Sequence, residues 1–364
     1  MSASRAVRAP DATGREKGAV DVTTGAPGAK RPTITGIARA AGVSTAAVSY
    51  ALNGLPGVSA ETRDRILEVA ADLGWRPNIA ARSLSVARAH AVGLVIARPA
   101  DTLGVEPFFM RFISGLEREF ASSDSALLLQ VVDNHKSWNA TVKGWWAERR
   151  VDGIIVTDVH TRDSRFAMLE QLGVPAVVAG RPQPRLSAPA VWSDDAAAVR
   201  MAVDHVVALG HRRIARVAGL HSLDHTKVRT AAFVRAMKAH GLEGSDVLDS
   251  DYSFEAGAAV TRTLLCRRWP PTAIIYDNDL MAVAGLGVAR DLGFSVPGDL
   301  SIVAGDDSPL CLLGQPAITA LSRDVAAYGA QTARTLLEVI AGRDPESLVV
   351  DPPTLTIRGT TGPV

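Results

Sequence analysis

The spacing of apolar residues changes character once along this chain. Between residues 33 and 75 it is helical. In "TITGIARAAG", Ile34, Ile37, Ala38 and Ala41 recur at helical intervals, and Gly42 ends the run. A second short helix starts at Ser44, a good N-cap, and ends near "LNG". "VSAETRDRILEVAADLGW" opens on the cap residue Ser59, presents Ile66, Val69, Ala70 and Leu73 as one stripe, and closes at Gly74. Three short helices with a glycine turn between the first two predict a helix-turn-helix unit.

From residue 91 the pattern becomes one of short, wholly apolar runs: "AVGLVIA", "ALLLQVVD", "VDGIIVTD", "VPAVVAG", "PAVWSDD", "RRIARVAG", "TAIIYDND" and "DLSIVAGDD". Helical stretches lie around them, at 108–121, 137–149, 163–172, 195–209, 226–240, 254–268, 279–292 and 324–341. Strands without polar alternation, interleaved with helices, predict parallel sheets covered on both faces. The residue count fits two such halves, with a ligand at the carboxyl ends of the strands, in the cleft between them. Between head and core, "RPNIAARSLSVARAH" has Pro77 and the cap candidate Asn78 ahead of a short helix over 78–86. That helix has little apolar surface and is marginal alone, so the stretch reads as a linker.

Composition sharpens this division. The chain of 364 residues is too long for one ordinary core and is 47% hydrophobic and 21% charged, as soluble globular proteins are. Net charge is only +1, but residues 1–90 carry 12 basic against 7 acidic groups and the remainder 27 against 31. A basic head on an acidic body points to different partners for the two parts. Residues 1–30 read as a polar, disordered tail without the apolar core of a secretory signal, and no run is long enough to span a membrane. Cys266 and Cys311 lie in no metal-binding or redox motif, as expected of idle thiols in a reducing compartment. Neither a metal nor any other cofactor is implied.

The stretch "TITGIARAAGVSTAAVSYALNGLPGVSAETRDRILEVAADLGWRPNIAARSL" closely resembles the N-terminal signature of the LacI/GalR family of bacterial transcription regulators. "ALGHRRIARVAG", "RTAAFVRAMKAHG", "DNDLMAVAGLGVARDLGFSVPGDLSIVAGDD" and "ITALSRDVAAYGAQTARTLLEVIAG" resemble the family's sugar-binding core. The likeness covers roughly residues 33–360 and places two unrelated modules in the family's order. It implies a small all-α helix-turn-helix head plus an α/β periplasmic-binding-protein-like core of two doubly wound parallel-sheet lobes. The expected division is a tail at 1–30, a head at 31–76, a hinge at 77–90, a first lobe at 91–190 and 322–345, and a second at 191–321 and 346–360. The implied protein is a cytoplasmic, nucleoid-associated homodimer. It binds a pseudopalindromic double-stranded DNA operator under control of a small effector, a sugar or sugar derivative, and is in all expectation a repressor.

In such heads the second helix enters the major groove. Val43, Val48, Ala51 and Leu52 take its inward positions, while Thr45, Ala46, Ser49, Tyr50 and Asn53 face outward. By resemblance Thr45, Ala46 and Tyr50 read base edges, and Thr33, Ser49, Asn53, Ser59, Thr62 and Asn78 hold phosphates. Capping alone is the plainer role for Thr33, Ser59 and Thr62, and is compatible with phosphate contact. Tyr50 replaces an arginine common in the family, and Ala46 offers only a methyl, so direct readout should be modest. Gly36 stands where the family carries an acid; it cannot close a capping box, which removes up to ~1 kcal/mol from the first helix. In the hinge, Leu84 matches the leucine that wedges into the minor groove, with the small Ala81 permitting two hinges to approach.

In the core the resemblance assigns sugar binding to Arg229, Asp306 and Tyr252, and Asn278 lies at a strand end. Phe108 or Phe109 would line the cleft, with core packing the alternative for each; Arg181 and Asp158 are weaker candidates, and Asp194 and Asp195 read as helix caps. A sugar-binding protein without a DNA role would share the core but has no need of the head. Catalysis finds no support, since no serine or histidine sits in a nucleophile-elbow or metal pattern. His205, His211, His221 and His225 lack a convincing ligand spacing, and the tail "LTIRGTTGPV" has no heptads for a coiled-coil tetramer.

Overall fold

Helix α1 (Ile34–Ala41) starts at Thr33, whose hydroxyl accepts the Gly36 amide at 3.2 Å, and stops at Gly42, where φ is +66°. No side chain at Gly36 returns the bond, as the sequence foretold. A computed structural model describes residues 32–75, 88–98, 103–104, 106–184, 186–242 and 246–364. The tail and the hinge positions Asn78, Ala81 and Leu84 lie outside the described residues. The chain divides into two units, Met1–Ser85 and Val86–Val364.

In the first unit α1 is followed by α2 (Thr45–Leu52) and α3 (Ala60–Asp72). Ile37, Val48 and Ile66, one from each helix, are fully buried against one another's neighbourhood of Ala38, Ala41, Ala51 and Ala70. Alanines let three short helices approach closely around three branched side chains, which suffices for a core of this size. Ser44 and Ser59 cap α2 and α3, accepting the amides of Ala47 and Thr62.

The second unit holds two six-stranded sheets. The first contains β1 (Ala91–Ala97), β2 (Ala126–Val132), β3 (Gly153–Val156), β4 (Ala176–Ala179), β5 (Ala190–Trp192) and β11 (Leu348–Val349). Its order is β11-β5-β4-β3-β1-β2, all parallel. Helices α4 (Pro107–Ser122) and α12 (Val325–Ile340) cover one face, and α5 (His135–Ala147) and α6 (Ser164–Leu172) the other. Along β1, Val92, Leu94 and Ile96 pack under Phe109, Phe112 and Leu116, while Val95 packs with Trp138 and Val142. Alternate side chains thus enter two separate cores, which is why the strand is apolar throughout.

The second sheet contains β6 (Ile214–Ala218), β7 (Asp246–Asp249), β8 (Ala273–Tyr276), β9 (Ser301–Ala304), β10 (Thr319–Ser322) and β12 (Thr354–Thr356). Its order is β12-β10-β9-β8-β6-β7, with only β12 antiparallel to its neighbour. Helices α7 (Asp195–Ala208) and α8 (Asp224–Ala239) cover one face; α9 (Phe254–Leu265) and α10 (Asp279–Asp291) cover the other. The four-residue α11 (Leu310–Leu313) follows β9.

The chain crosses between lobes after β5, after β10 and between β11 and β12. Two boundaries differ from expectation. Val191 and Trp192 belong to β5 and so to the first sheet, and the segment 346–360 is divided, because Leu348 and Val349 pair with Val191 and Trp192 before the chain reaches β12. The edge of β5 supplies unpaired backbone groups, and this short strand satisfies them.

Close packing against the first sheet depends on two glycines. A Cβ on Gly115 would lie 2.0 Å from the Ala326 carbonyl oxygen, and one on Gly329 2.2 Å from that of Phe112. Helices α4 and α12 therefore meet backbone to backbone, which places the first turn of each at the mouth of the cleft.

Candidate functional site

The head presents α2 with Thr45, Ala46 and Tyr50 exposed and Val48 and Ala51 buried, so the three residues expected to read bases share the solvent face. Tyr50 is 44% exposed. Its ring rests on the turn at Gly57, where a Cβ would come within 3.2 Å of Cδ2. Of the expected phosphate ligands, Asn53 is engaged by its own helix, donating from Nδ2 to the Ser49 carbonyl at 2.9 Å. Thr33 and Ser59 cap helices, and the Ser59 hydroxyl also donates to that of Thr62 at 2.9 Å. Thr33, Ser59 and Thr62 lie at helix N-termini, where amide dipoles favour an anion, whereas Ser49 lies on the α2 surface and Asn53 at its C-terminal end.

The second unit holds a cavity of about 370 Å³ between its two sheets. Phe108, Phe109, Arg229, Tyr252 and Asp306 all line it, as do Asp158 and Arg181. Phe109 is also fully buried, so the two roles weighed for it coexist. Tyr252 forms floor rather than an open platform, because it is only 3% exposed and its hydroxyl bonds to His225 and Thr226. Asn278 does not line the cavity. Its amide caps α10 by accepting the Met281 amide at 2.9 Å and donates to the Tyr252 carbonyl at 3.0 Å, which makes it a support for the floor. Asp194 caps α7 as expected, but Asp195 turns into the cavity.

Several wall residues escaped the sequence reading, and they share a position. Arg98 follows β1, Asp195 follows β5 and Arg323 follows β10, each at the carboxyl end of a strand. Arg98 grips Asp158 with Nε and Nη2 at 2.7 and 2.8 Å and Glu106 with Nη1 at 3.0 Å. Its guanidinium also lies 5.2 Å from the Phe109 ring centre and 4.9 Å from that of Tyr252. Across the cavity, Arg229 binds Asp195 at 2.8 Å, and Arg323 lies 3.3 Å from the same carboxylate.

Burial and these charges divide the acids into two kinds. Burial drives Asp195 upward, but Arg229 and Arg323 outweigh it and hold the carboxyl down at about 2. Burial pushes Glu106 up to about 7 despite the Arg98 contact, and Asp306 up to about 6 despite Arg323. His225 is held down at about 4 by burial and by Arg229, which keeps its ring neutral. Among the described residues, Ser193 Oγ is buried in the wall without a hydrogen-bond partner, and Asp306 Oδ1 and Arg323 Nε face each other at 3.5 Å as an ion pair with no closer partner for either atom. Buried polar atoms normally find partners, so these mark where a ligand's own donors and acceptors would sit. The wall also carries backbone strain: Asp158 and Tyr252 adopt φ of +49° and +72°. For a bulky side chain such as tyrosine that conformation is an outlier, of the kind found at ligand sites.

Among the described residues, hydrogen bonds and a ring contact join the lobes. The Asp224 amide donates to the Val159 carbonyl at 2.8 Å, beside a bridge between His160 and Leu223. Arg111 on α4 donates to the Asp307 carbonyl at 2.8 Å. Arg98 meets the Tyr252 ring inside the cavity.

Comparison with known proteins matches residues 33–78 to a family described as bacterial regulatory proteins, lacI family, and residues 203–361 to a periplasmic binding protein-like domain. The HTH-type transcriptional regulator CelR of Thermobifida fusca is 31% identical over 88% of this chain and 96% of its own length. A solved transcriptional regulator CelR-cellobiose complex is 30% identical, with a TM-score of 0.70, covering 91% of this chain and all of that one. The lac repressor dimer bound to operator shares the fold, with a TM-score of 0.81 at 24% identity over 92% of this chain and 100% of that one. Among the described residues no helix is long and apolar enough to cross a membrane.

Proposed function

The chain belongs to the lacI family of bacterial regulatory proteins, and from that premise we propose how its two units divide the work of an effector-controlled transcriptional regulator. The head binds operator DNA. Thr45, Ala46 and Tyr50 face base edges in the major groove, and Thr33, Ser49, Asn53, Ser59 and Thr62 face phosphates. With one hydroxyl, one methyl and one phenol at the reading positions, no bidentate contact to guanine is available from them. Specificity then leans on DNA shape and on the hinge, where Leu84 acts as the wedge.

The cavity takes a small carbohydrate. The observation that carries this is the combination in one cavity of the unpartnered Ser193 Oγ and the loosely paired Asp306 Oδ1 and Arg323 Nε, 3.5 Å apart, with aromatic walls from Phe108 and Trp192. Sugars present a rim of hydroxyls and an apolar ring face, and a planar guanidinium such as that of Arg229 spans adjacent hydroxyls. The cellobiose complex of a relative that is 30% identical supports the same ligand class.

Ligand binding is coupled to DNA through the lobes. A sugar held by Arg98, Glu106 and Asp158 from one side and by Asp195, Arg229 and Asp306 from the other biases how the lobes meet, and the lobes carry the hinges. The working form is a homodimer on a pseudopalindromic operator, its second copy covering the exposed Leu312 and Leu313 of α11. A thermal-shift screen of sugars, sugar phosphates and nucleosides tests the effector class. A sugar at 100 times its Kd stabilises the protein by ~2.7 kcal/mol, and a screen in which only nucleosides shift the midpoint contradicts it.

A further inference from the structure

The cavity is longer than one sugar ring needs. Its wall runs along the carboxyl edge of the first sheet, from Arg98 after β1 through Asp158 after β3 and Gly180 after β4 to Trp192 on β5 and Val349 on β11. That path crosses four strand spacings, roughly 19 Å at about 4.8 Å each. The two ends differ in chemistry. The inner end carries the paired charges, Arg98 with Asp158 and Arg229 with Asp195. The outer end is built from the half-buried Trp192 and the exposed apolar pair Leu348 and Val349 beside it in register. The Arg181 guanidinium lies over the Trp192 ring, 5.9 Å from its centre, and Gln331 on α12 supplies a further polar group in the same wall. Ser193, next to Trp192, contributes one of the unpartnered buried hydroxyls.

An indole flanked by aliphatic side chains, with hydrogen-bonding groups in the same wall, offers an apolar face to a pyranose and partners to its hydroxyls. We infer that the outer end, centred on Trp192, is a second sugar subsite, so that the effector is an oligosaccharide of two or more rings. Its inner ring engages Arg229 and Asp195, and its outer ring lies against Trp192. This rests on the carbohydrate reading of the cavity and adds the ring count to it. The division of β11 from the rest of 346–360 gains a purpose, because Leu348 and Val349 are brought to the first sheet where they wall the outer end.

Calorimetric titration of the full chain with glucose, galactose, cellobiose, maltose, lactose and melibiose tests the inference, alongside Trp192→Ala and Trp192→Phe. At least one disaccharide should bind on the order of tenfold tighter than either of its component monosaccharides. Trp192→Ala should cut that advantage to about twofold or less, weakening the disaccharide more than the monosaccharide, while Trp192→Phe retains most of it. If a monosaccharide binds as tightly as every disaccharide, or if the advantage survives in Trp192→Ala, the outer subsite is wrong and the carbohydrate reading stands. If none of the six sugars binds, the carbohydrate reading falls and the subsite with it.

Discussion

Arg229 on α8 holds Asp195 at the start of α7 with two nitrogens, at 2.8 and 3.0 Å, in the wall of the cavity. Both groups are largely withdrawn from solvent, each about 12% exposed, so each supports the other's charge, and with both nitrogens on Oδ1 the pair leaves Oδ2 of Asp195 for a ligand hydroxyl. Arg229→Ala removes the donor and strands the carboxylate. Asp195, held at about 2 by Arg229 and Arg323, should rise in pKa in this variant. Calorimetry with the sugar that stabilises the wild-type protein should show binding weakened by at least tenfold, as ~1.5–3 kcal/mol is typical of one charge-assisted bond.

Glu106 makes stability depend on pH in an unusual direction. Its folded pKa is raised to about 7, chiefly by burial. A carboxyl raised in the folded state contributes stability that is fully present below its unfolded value and lost as pH rises through the folded one. The thermal midpoint should therefore decline between about pH 5 and pH 8, with roughly 3 kcal/mol as the upper bound for this group. Asp306, raised to about 6, acts in the same sense. Glu106→Gln should flatten the profile over that window, and an unchanged slope in this variant places the dependence elsewhere.

Gly329 tests the backbone contact between α4 and α12. A methyl there would sit 2.2 Å from the Phe112 carbonyl oxygen, which belongs to a helix and cannot step aside. Gly329→Ala ordinarily improves a helix, but here overpacking should dominate and destabilise by about 1–3 kcal/mol. Chemical denaturation of the variant decides the sign, and a stabilised Gly329→Ala would show that the two helices separate easily.

Much of this architecture was legible in the sequence, for identifiable reasons. The three head helices were readable because Thr33, Ser44 and Ser59 cap them in fact and Gly42 ends the first. The inner strands were readable because burial on both faces leaves them no polar positions, as in "GIIV" and "AIIY". The edge strands were not. β7 reads "DVLD" and β12 "TLT", polar enough to pass as loops, and β11 is two exposed residues whose place depends on Trp192 far away in sequence. Site residues followed the same division. Arg229 and Asp306 were named by resemblance and line the cavity, whereas Arg98 and Glu106 are placed there by pairing with each other and Asp195 by pairing with Arg229, contacts that no local pattern records. Asn278 shows the ambiguity of the pattern, since a strand-end amide can face the cavity or cap the next helix, and here it caps.

The α2 surface and the hinge should fail differently when altered. Tyr50 is exposed beside Gly57; if it faces bases as proposed, Tyr50→Ala should change which operators are preferred in a selection from random duplexes. Leu84→Ala should instead weaken all kinked operators together, by roughly the few kcal/mol that a wedge returns on unstacking one step. If Tyr50→Ala leaves base preference untouched, α2 serves the core of the head and reads little.

The central claim is that cavity and operator are coupled, and coupling is reciprocal. The direct measurement is the affinity of the full chain for its selected operator, by fluorescence anisotropy at fixed salt, with and without a saturating sugar identified by thermal shift. A coupling of ~1–3 kcal/mol predicts a change of roughly 5- to 150-fold, and the operator should alter the sugar's affinity by the same factor. Operator affinity that stays the same while calorimetry shows the cavity filled would contradict the account.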